Sequence, residues 1–208
     1  MRLFLLPIFL AMSVLPQVIA ADSPAAVVIA IQPLDNVKAE RLEVVRKGLE
    51  ESFGLKVEVL TGKPPAKEAW YAPRSRYRAE KLLDQLANDT SVKYQIVVGV
   101  TGKDISTTKG EHEDWGIFGL GEVDGRACVV STFRLGARGA DEKQLRERLR
   151  KVAIHEAGHV MGLEHCPQEG CVMHDAESSI ATVDGESGKF CEKCKAGWEA
   201  WLRKAKEK

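Results

Sequence analysis

The chain has no surplus of charge of either sign: 30 lysines and arginines balance 30 aspartates and glutamates. That balance argues against nucleic acid or an anionic membrane as the main partner. No internal repeat and no low-complexity tract occurs, which sets aside repeat arrays and fibrous chains. Long hydrophobic runs are equally scarce, and the clearest lies at the start. Arg2 precedes the almost wholly apolar stretch Leu3 to Val18, and Val18-Ile19-Ala20 ends it with small residues at the two positions that matter. The run is short against the ~20 residues of a membrane span, and no basic stop-transfer cluster follows. Residues 1–20 are therefore expected to be a signal peptide cut after Ala20, the competing reading being an uncleaved anchor. No cysteine stands at the cleavage point, so a lipoprotein is not indicated. The leader lacks a twin-arginine pair, so export before folding is expected. The mature chain is expected to be exported, periplasmic or secreted, with no membrane attachment after cleavage. Its composition, 44% hydrophobic and 29% charged, suits a soluble globular protein of one domain or one and a half.

Along that chain, periodicity gives an α/β (α+β) pattern. Ala26 to Ile31 is a continuous apolar run of strand length. Asp35 or Asn36 is placed to cap a helix carrying Leu42, Val45, Leu49 and Phe53 at helical spacing, closed by Gly54. Leu55 to Leu60 alternates as a second strand, and this β-α-β start implies a parallel pair. Gly62 to Pro73 reads as a loop, Arg76 to Leu86 as a helix and Tyr94 to Val100 as a strand. Trp115 to Val123 and Arg126 to Leu135 read as strands joined through Asp124-Gly125, a hairpin signal. A long helix is expected over Asp141 to Leu163, and another over Cys191 to Arg203 with Trp198, Trp201 and Leu202 on one face. Between them lies a segment rich in Cys, Gly, Ser and Asp with little periodic hydrophobicity. Lys204 to Lys208 reads as a frayed end.

The chemistry concentrates in His155-Glu156-Ala157-Gly158-His159-Val160-Met161-Gly162-Leu163-Glu164-His165-Cys166. His155 and His159, four residues apart on a helix, project from one face and can bind one ion. Gly162 can take the left-handed conformation that ends the helix and returns His165 as a third ligand. Three protein nitrogens leave the fourth tetrahedral position open to water, the arrangement of a catalytic zinc. Glu156 is the natural base for that water. Cys166-x4-Cys171 and Cys191-x2-Cys194 are short-spaced pairs suited to a closed thiolate zinc site, with disulfides as the alternative in an oxidising compartment. Cys128, inside the apolar run Ala127 to Val130, reads as a buried free cysteine. His112 and His174 have no spacing argument and read as surface histidines.

With both motifs in place, the chain resembles the archaemetzincin (archaelysin-type) metalloproteases of the metzincin clan. His155, Glu156, His159, Gly162, His165, Cys166, Cys171, Met173, Cys191 and Cys194 fill that family's pattern at matching spacing. Tyr71-x-Pro73-Arg74-x-x-Tyr77, Leu82-Leu83, Gly99-Val100-Thr101, Phe118-Gly119, Gly125-Arg126, Val129-Val130-Ser131 and Arg134-Leu135 follow in family order. The resemblance implies a metzincin-like mixed twisted sheet beside the active-site helix. It also implies a catalytic part over 21–163 and a small zinc-stabilised C-terminal subdomain over 164–208. Met173 would be the Met-turn residue, packed beneath the histidines without binding metal. The strand around Trp115 to Leu120 would edge the cleft and take an extended peptide through main-chain hydrogen bonds.

The implied activity is peptide-bond hydrolysis with two zinc ions: a catalytic one on His155, His159 and His165, and a structural one on Cys166, Cys171, Cys191 and Cys194; a monomer is expected. The rival reading is a catalytically silent zinc-binding scaffold for peptides or partners. A nucleic-acid-binding ribbon built on the cysteine site is opposed by the neutral charge balance.

Overall fold

The computed structural model describes residues 26–207. The expected signal peptide, 1–20, lies outside them. Strand β1 (Val28–Pro33) leads into helix α1 (Ala39–Phe53) and strand β2 (Lys56–Val59). Strands β1 and β2 pair in parallel, as the β-α-β pattern requires. Val45, Leu49 and Phe53 form the buried stripe of α1, and Gly54, at φ 63°, donates to the Glu50 carbonyl to close it. The N-terminal end differs from expectation: Lys38 occupies the cap position, with no side-chain cap. Asp35 instead accepts hydrogen bonds from Thr101 Oγ1 at 2.8 Å and the Gly102 amide at 2.9 Å. Its carboxylate is used across the sheet end and not at the helix.

The loop over 62–73 contains the short strand β3 (Trp70–Tyr71), and Arg76–Arg78 is strand β4, so helix α2 begins only at Ala79 and runs to Asp89. Tyr77 sits opposite Trp70 and Ile105 in the ladder, while Arg76 faces Asp104 and Asp114, so cross-strand partners override any helical start. Strand β5 (Ile96–Thr101) is wholly buried. Strand β6 (Ile105–Lys109), polar along its outer half, gave no sequence signal. The stretch expected as one strand divides at Phe118 into β7 (His112–Ile117) and β8 (Gly119–Gly121). Strand β7 pairs with β6, whereas β8 turns through Asp124-Gly125 and pairs antiparallel with β9 (Ala127–Ser131).

The result is two mixed sheets. One has order β2-β1-β5-β9-β8; the other has order β3-β4-β6-β7. Alternation along β1 assigns the faces of the larger sheet: Ile29 and Ile31 join a cluster with α1 and α3 (Glu142–Val160), while Ala30 joins one with α2 and Ile105. Helix α4 (Ile180–Gly185), unforeseen in the irregular stretch, and α5 (Glu192–Ala205) complete the chain. Val172, Met173, Ile180, Val183 and Trp198 share the cluster of α1 and α3, so the apolar core runs unbroken past residue 164. Cys128 is buried in β9 as a free thiol. No helix of the described residues is long and apolar enough to cross a membrane.

Candidate active site and cysteine cluster

Helix α3 positions the site. Asp141 caps it, its Oδ1 accepting from the Gln144 amide at 2.7 Å. At the other end Gly162, φ 79°, reverses the chain; its amide donates to the His159 carbonyl at 2.8 Å and the Leu163 amide to the Gly158 carbonyl at 3.0 Å. This paired closure is the Schellman arrangement. It brings the Leu163 carbonyl 2.6 Å from His159 Nδ1, while the Val172 carbonyl lies 2.7 Å from His155 Nδ1. A carbonyl can only accept, so both Nδ1 atoms carry the proton and both Nε2 atoms present lone pairs. The two Nε2 atoms lie 3.1 Å apart. His165 follows the reversal and completes a group whose ligand atoms all lie within 4.8 Å of one another. Tetrahedral zinc with bonds of about 2.0–2.1 Å needs nitrogens about 3.3–3.4 Å apart, so the three imidazoles fit that ion.

The electrostatics agree. Burial, with the neighbouring His159 adding to it, pushes His155 down to about 3, and burial lowers His159 as well. Both stay neutral, the form that ligates metal. Asp175 Oδ2 lies 3.4 Å from Nδ1 of the half-exposed His165. Glu156 is only 7% exposed; burial raises its pKa to about 8, opposed by the Gly121 amide and reinforced by Asp175.

Strand β8 reaches this glutamate because it is built of glycine. A Cβ on Gly119 would lie 2.6 Å from Glu156 Oε1, and one on Gly121 would lie 2.5 Å from the Glu156 carbonyl oxygen. The Asp124 amide donates to the His159 carbonyl at 3.0 Å, fastening the hairpin to the end of α3. Beneath, Met173 is fully buried, and a Cβ on Gly158 would lie 2.5 Å from its sulfur. The methionine therefore packs against the ligand-bearing turn of α3.

Cys166, Cys171, Cys191 and Cys194 bring their sulfurs within 4.8 Å of one another. Cys166 Sγ and Cys191 Sγ are 3.8 Å apart, matching the edge of about 3.8 Å for a tetrahedron with Zn–S bonds of about 2.3 Å. The Cys191 amide donates to Cys171 Sγ at 3.4 Å. Backbone hydrogen bonding at Cys194 lowers Cys191 to about 7, while burial raises Cys171 and Cys194. Four sulfurs converging as one group, from both pairs, suit an ion better than two separate disulfides.

A cleft of about 710 Å³ opens over the histidines, between Trp115–Gly121 and Asp175–Ser178. Strand β8 is the outer strand of its sheet, and among the described residues its far edge is unpaired. Across the cleft, Trp115 Nε1 donates to Ser178 Oγ at 2.7 Å. His112 lies outside the ligand group, its ring 5.3 Å from that of Trp115. His174 turns away, its Nδ1 donating to the Cys166 carbonyl at 3.0 Å. Gly121 and Asp175 were missed at the sequence level, and Gly119 was named there without its packing role. Paired glycines inside a strand signal close backbone approach, whereas Asp175 had no periodic signal at all.

Fold and site together define the class: this is a zinc-dependent metallopeptidase. The family model described as Peptidase family M54 matches residues 35–199, and the chain belongs to that family. It is 37% identical to the archaemetzincin of Archaeoglobus fulgidus over 166 residues, covering 80% of this chain and 95% of the relative. It is 32% identical to that of Pyrococcus furiosus, covering 86% and 93%. Among solved structures, the crystal structure of archaemetzincin from Methanopyrus kandleri superposes with TM-score 0.74 at 29% identity, covering 86% of this chain and 97% of that one. The A. fulgidus structure, complexed with malonate, gives 0.70 at 36% identity, covering 82% and 99%.

Proposed function

We propose that the protein hydrolyses peptide bonds with His155, His159 and His165 as ligands of a catalytic zinc and Glu156 as general base. A second zinc on the four cysteines serves structure. The observation that carries this reading is the orientation of the imidazoles: carbonyls hold Nδ1 of His155 and His159, so the free lone pairs converge beside a buried carboxylate. Zinc in that position supplies Lewis-acid polarisation of the scissile carbonyl and lowers the pKa of water from 15.7 to about 7.

The chain's own groups do the rest. Glu156, buried beside the converging histidines, is suited to take a proton from the attacking water and deliver it to the departing amine nitrogen as the C–N bond breaks. Strand β8 offers its unpaired edge to the substrate main chain, which holds the scissile carbonyl over the histidines. Asp175 orients His165. The apolar leader supports action outside the cytoplasm, and the neutral charge balance supports a peptide substrate and no nucleic acid. The protein is proposed to act as a monomer.

Turnover of a mixed peptide pool by the wild type, by chelator-treated protein and by Glu156→Ala tests the mechanism. Glu156→Ala keeps its zinc and loses at least about 100-fold in activity, and chelation abolishes cleavage. Equal turnover by mutant and wild type overturns the mechanism; no cleavage of any peptide by the wild type leaves the binding-scaffold reading. Metal analysis with thiol titration is expected to give two zinc ions and no disulfide, and one zinc with two disulfides rejects the cysteine assignment.

A further inference from the structure

One wall of the cleft contains a charged group that the proposed mechanism does not use. Glu186 follows α4 directly and lines the same cavity as His155 and Glu156, yet it is 93% buried. Its carboxylate makes no hydrogen bond and no ion pair among the described residues. Lys151 from α3 acts on it through charge alone, its Nζ donating to the carbonyls of Val183 at 3.0 Å and Asp184 at 3.2 Å. Asp184 is likewise occupied, paired with Arg148 at 2.7 and 2.8 Å. A largely buried carboxyl with no hydrogen-bond partner, whose charge Lys151 offsets only in part and which lines the cavity, marks a place where a cationic ligand can supply the rest.

The surroundings say which ligand. Val152, one turn before Glu156 on α3, and Val183 on α4 line the cavity on the same side, and both are buried and apolar. An apolar passage with a carboxylate in its wall complements a side chain with an aliphatic stem and a cationic tip. Arginine and lysine are the amino acids of that design. A carboxyl in such a pocket ionises as a cationic tip pairs with it, and discriminates by leaving any other side chain unpaired.

We infer that Glu186, flanked by Val152 and Val183, forms a specificity pocket that selects an arginine or lysine side chain next to the scissile bond. This rests on the peptidase reading above for its substrate, but the pocket can be tested apart from it. Two peptide series place arginine, norleucine or glutamate on either side of one bond. In the wild type, arginine exceeds norleucine by at least tenfold in kcat/KM at one of the two positions. Glu186→Gln lowers that ratio at least tenfold, and Glu186→Lys shifts preference toward glutamate. A ratio, unlike a rate, is insensitive to the fraction of folded variant. Binding is measured in parallel on the Glu156→Ala background with fluorescently labelled forms of the arginine and norleucine peptides. There Glu186→Gln weakens the arginine peptide at least tenfold relative to the norleucine peptide. An unchanged ratio in both arms overturns the pocket. Discrimination in binding without any wild-type cleavage upholds the pocket and rejects the peptidase reading.

Discussion

Gly119, Gly121 and Gly158 shape the site by having no side chain. Each stands where a Cβ would fall within 2.6 Å of the catalytic helix or of Met173, so the helix, the edge strand and the methionine sulfur can all close on the histidines. Gly158 is the sharpest case, because alanine is the better helix former by about 1 kcal/mol. Overpacking against the buried sulfur costs about 1–3 kcal/mol, so it outweighs or at least cancels that gain. Gly158→Ala is therefore expected to lower the urea midpoint modestly or leave it unchanged while weakening zinc binding at the histidines, read by competition with a chromophoric chelator. A stabilised variant with unaltered zinc affinity would contradict the packing argument. At this scale the sequence was highly legible where spacing alone sets geometry. His155 and His159 lie on one face because a helix repeats every 3.6 residues. Asp175 and Glu186 were illegible because they reach the site through loop conformation, which leaves no periodic trace.

Among elements, the junction of α3 and α4 concentrates buried charge. Arg148, 2% exposed, binds Asp184 through two nitrogens and also donates to the carbonyls of Leu135 and Ala137, closing the helix against the preceding turn. Beside it Glu186 is raised to about 8 by burial, which Lys151 on α3 only partly offsets; Asp184, the other acid there, is held low by Arg148. A carboxyl raised on folding binds its proton more tightly in the native state. Its contribution is thus full below about 4.3, the unfolded value, and is lost as pH rises through about 8. Wild-type stability should fall relative to Glu186→Gln across that window, by at most about 1.4 kcal/mol per pH unit. Urea titrations of both proteins at pH 5, 6.5 and 8 check it; parallel curves would count against a buried, unpaired carboxyl. The elements that escaped sequence reading share one cause. Strand β6 and the start of α2 are decided by distant cross-strand partners such as Tyr77 with Ile105, and the split at Phe118 by β7 pairing with β6 while β8 pairs with β9. Long, self-contained patterns such as α1 and α3 kept nearly the expected limits.

For the whole molecule, the question is how the segment after 164 is held. Its apolar residues belong to the same cluster as α1 and α3, with the Phe53 ring of α1 packed at 5.4 Å against Phe190 and edge-on against Trp198. The cysteine group therefore acts on a segment already joined to the main core. A single cooperative unfolding transition is expected for the zinc-loaded protein, with calorimetric and van't Hoff enthalpies in agreement. Two resolved transitions would instead support an independently folding unit over 164–208.

The glycine turn at the end of α3 couples two events that are usually separate. The carbonyl that orients His159 belongs to Leu163, whose own amide closes the helix. The last turn thus cannot fray without releasing an imidazole from its proper tautomer and direction. In most helices the terminal residues open freely on fast timescales. Here local melting and loss of ligand geometry are one motion, so an ion held by these histidines would clamp the helix end against exchange with solvent.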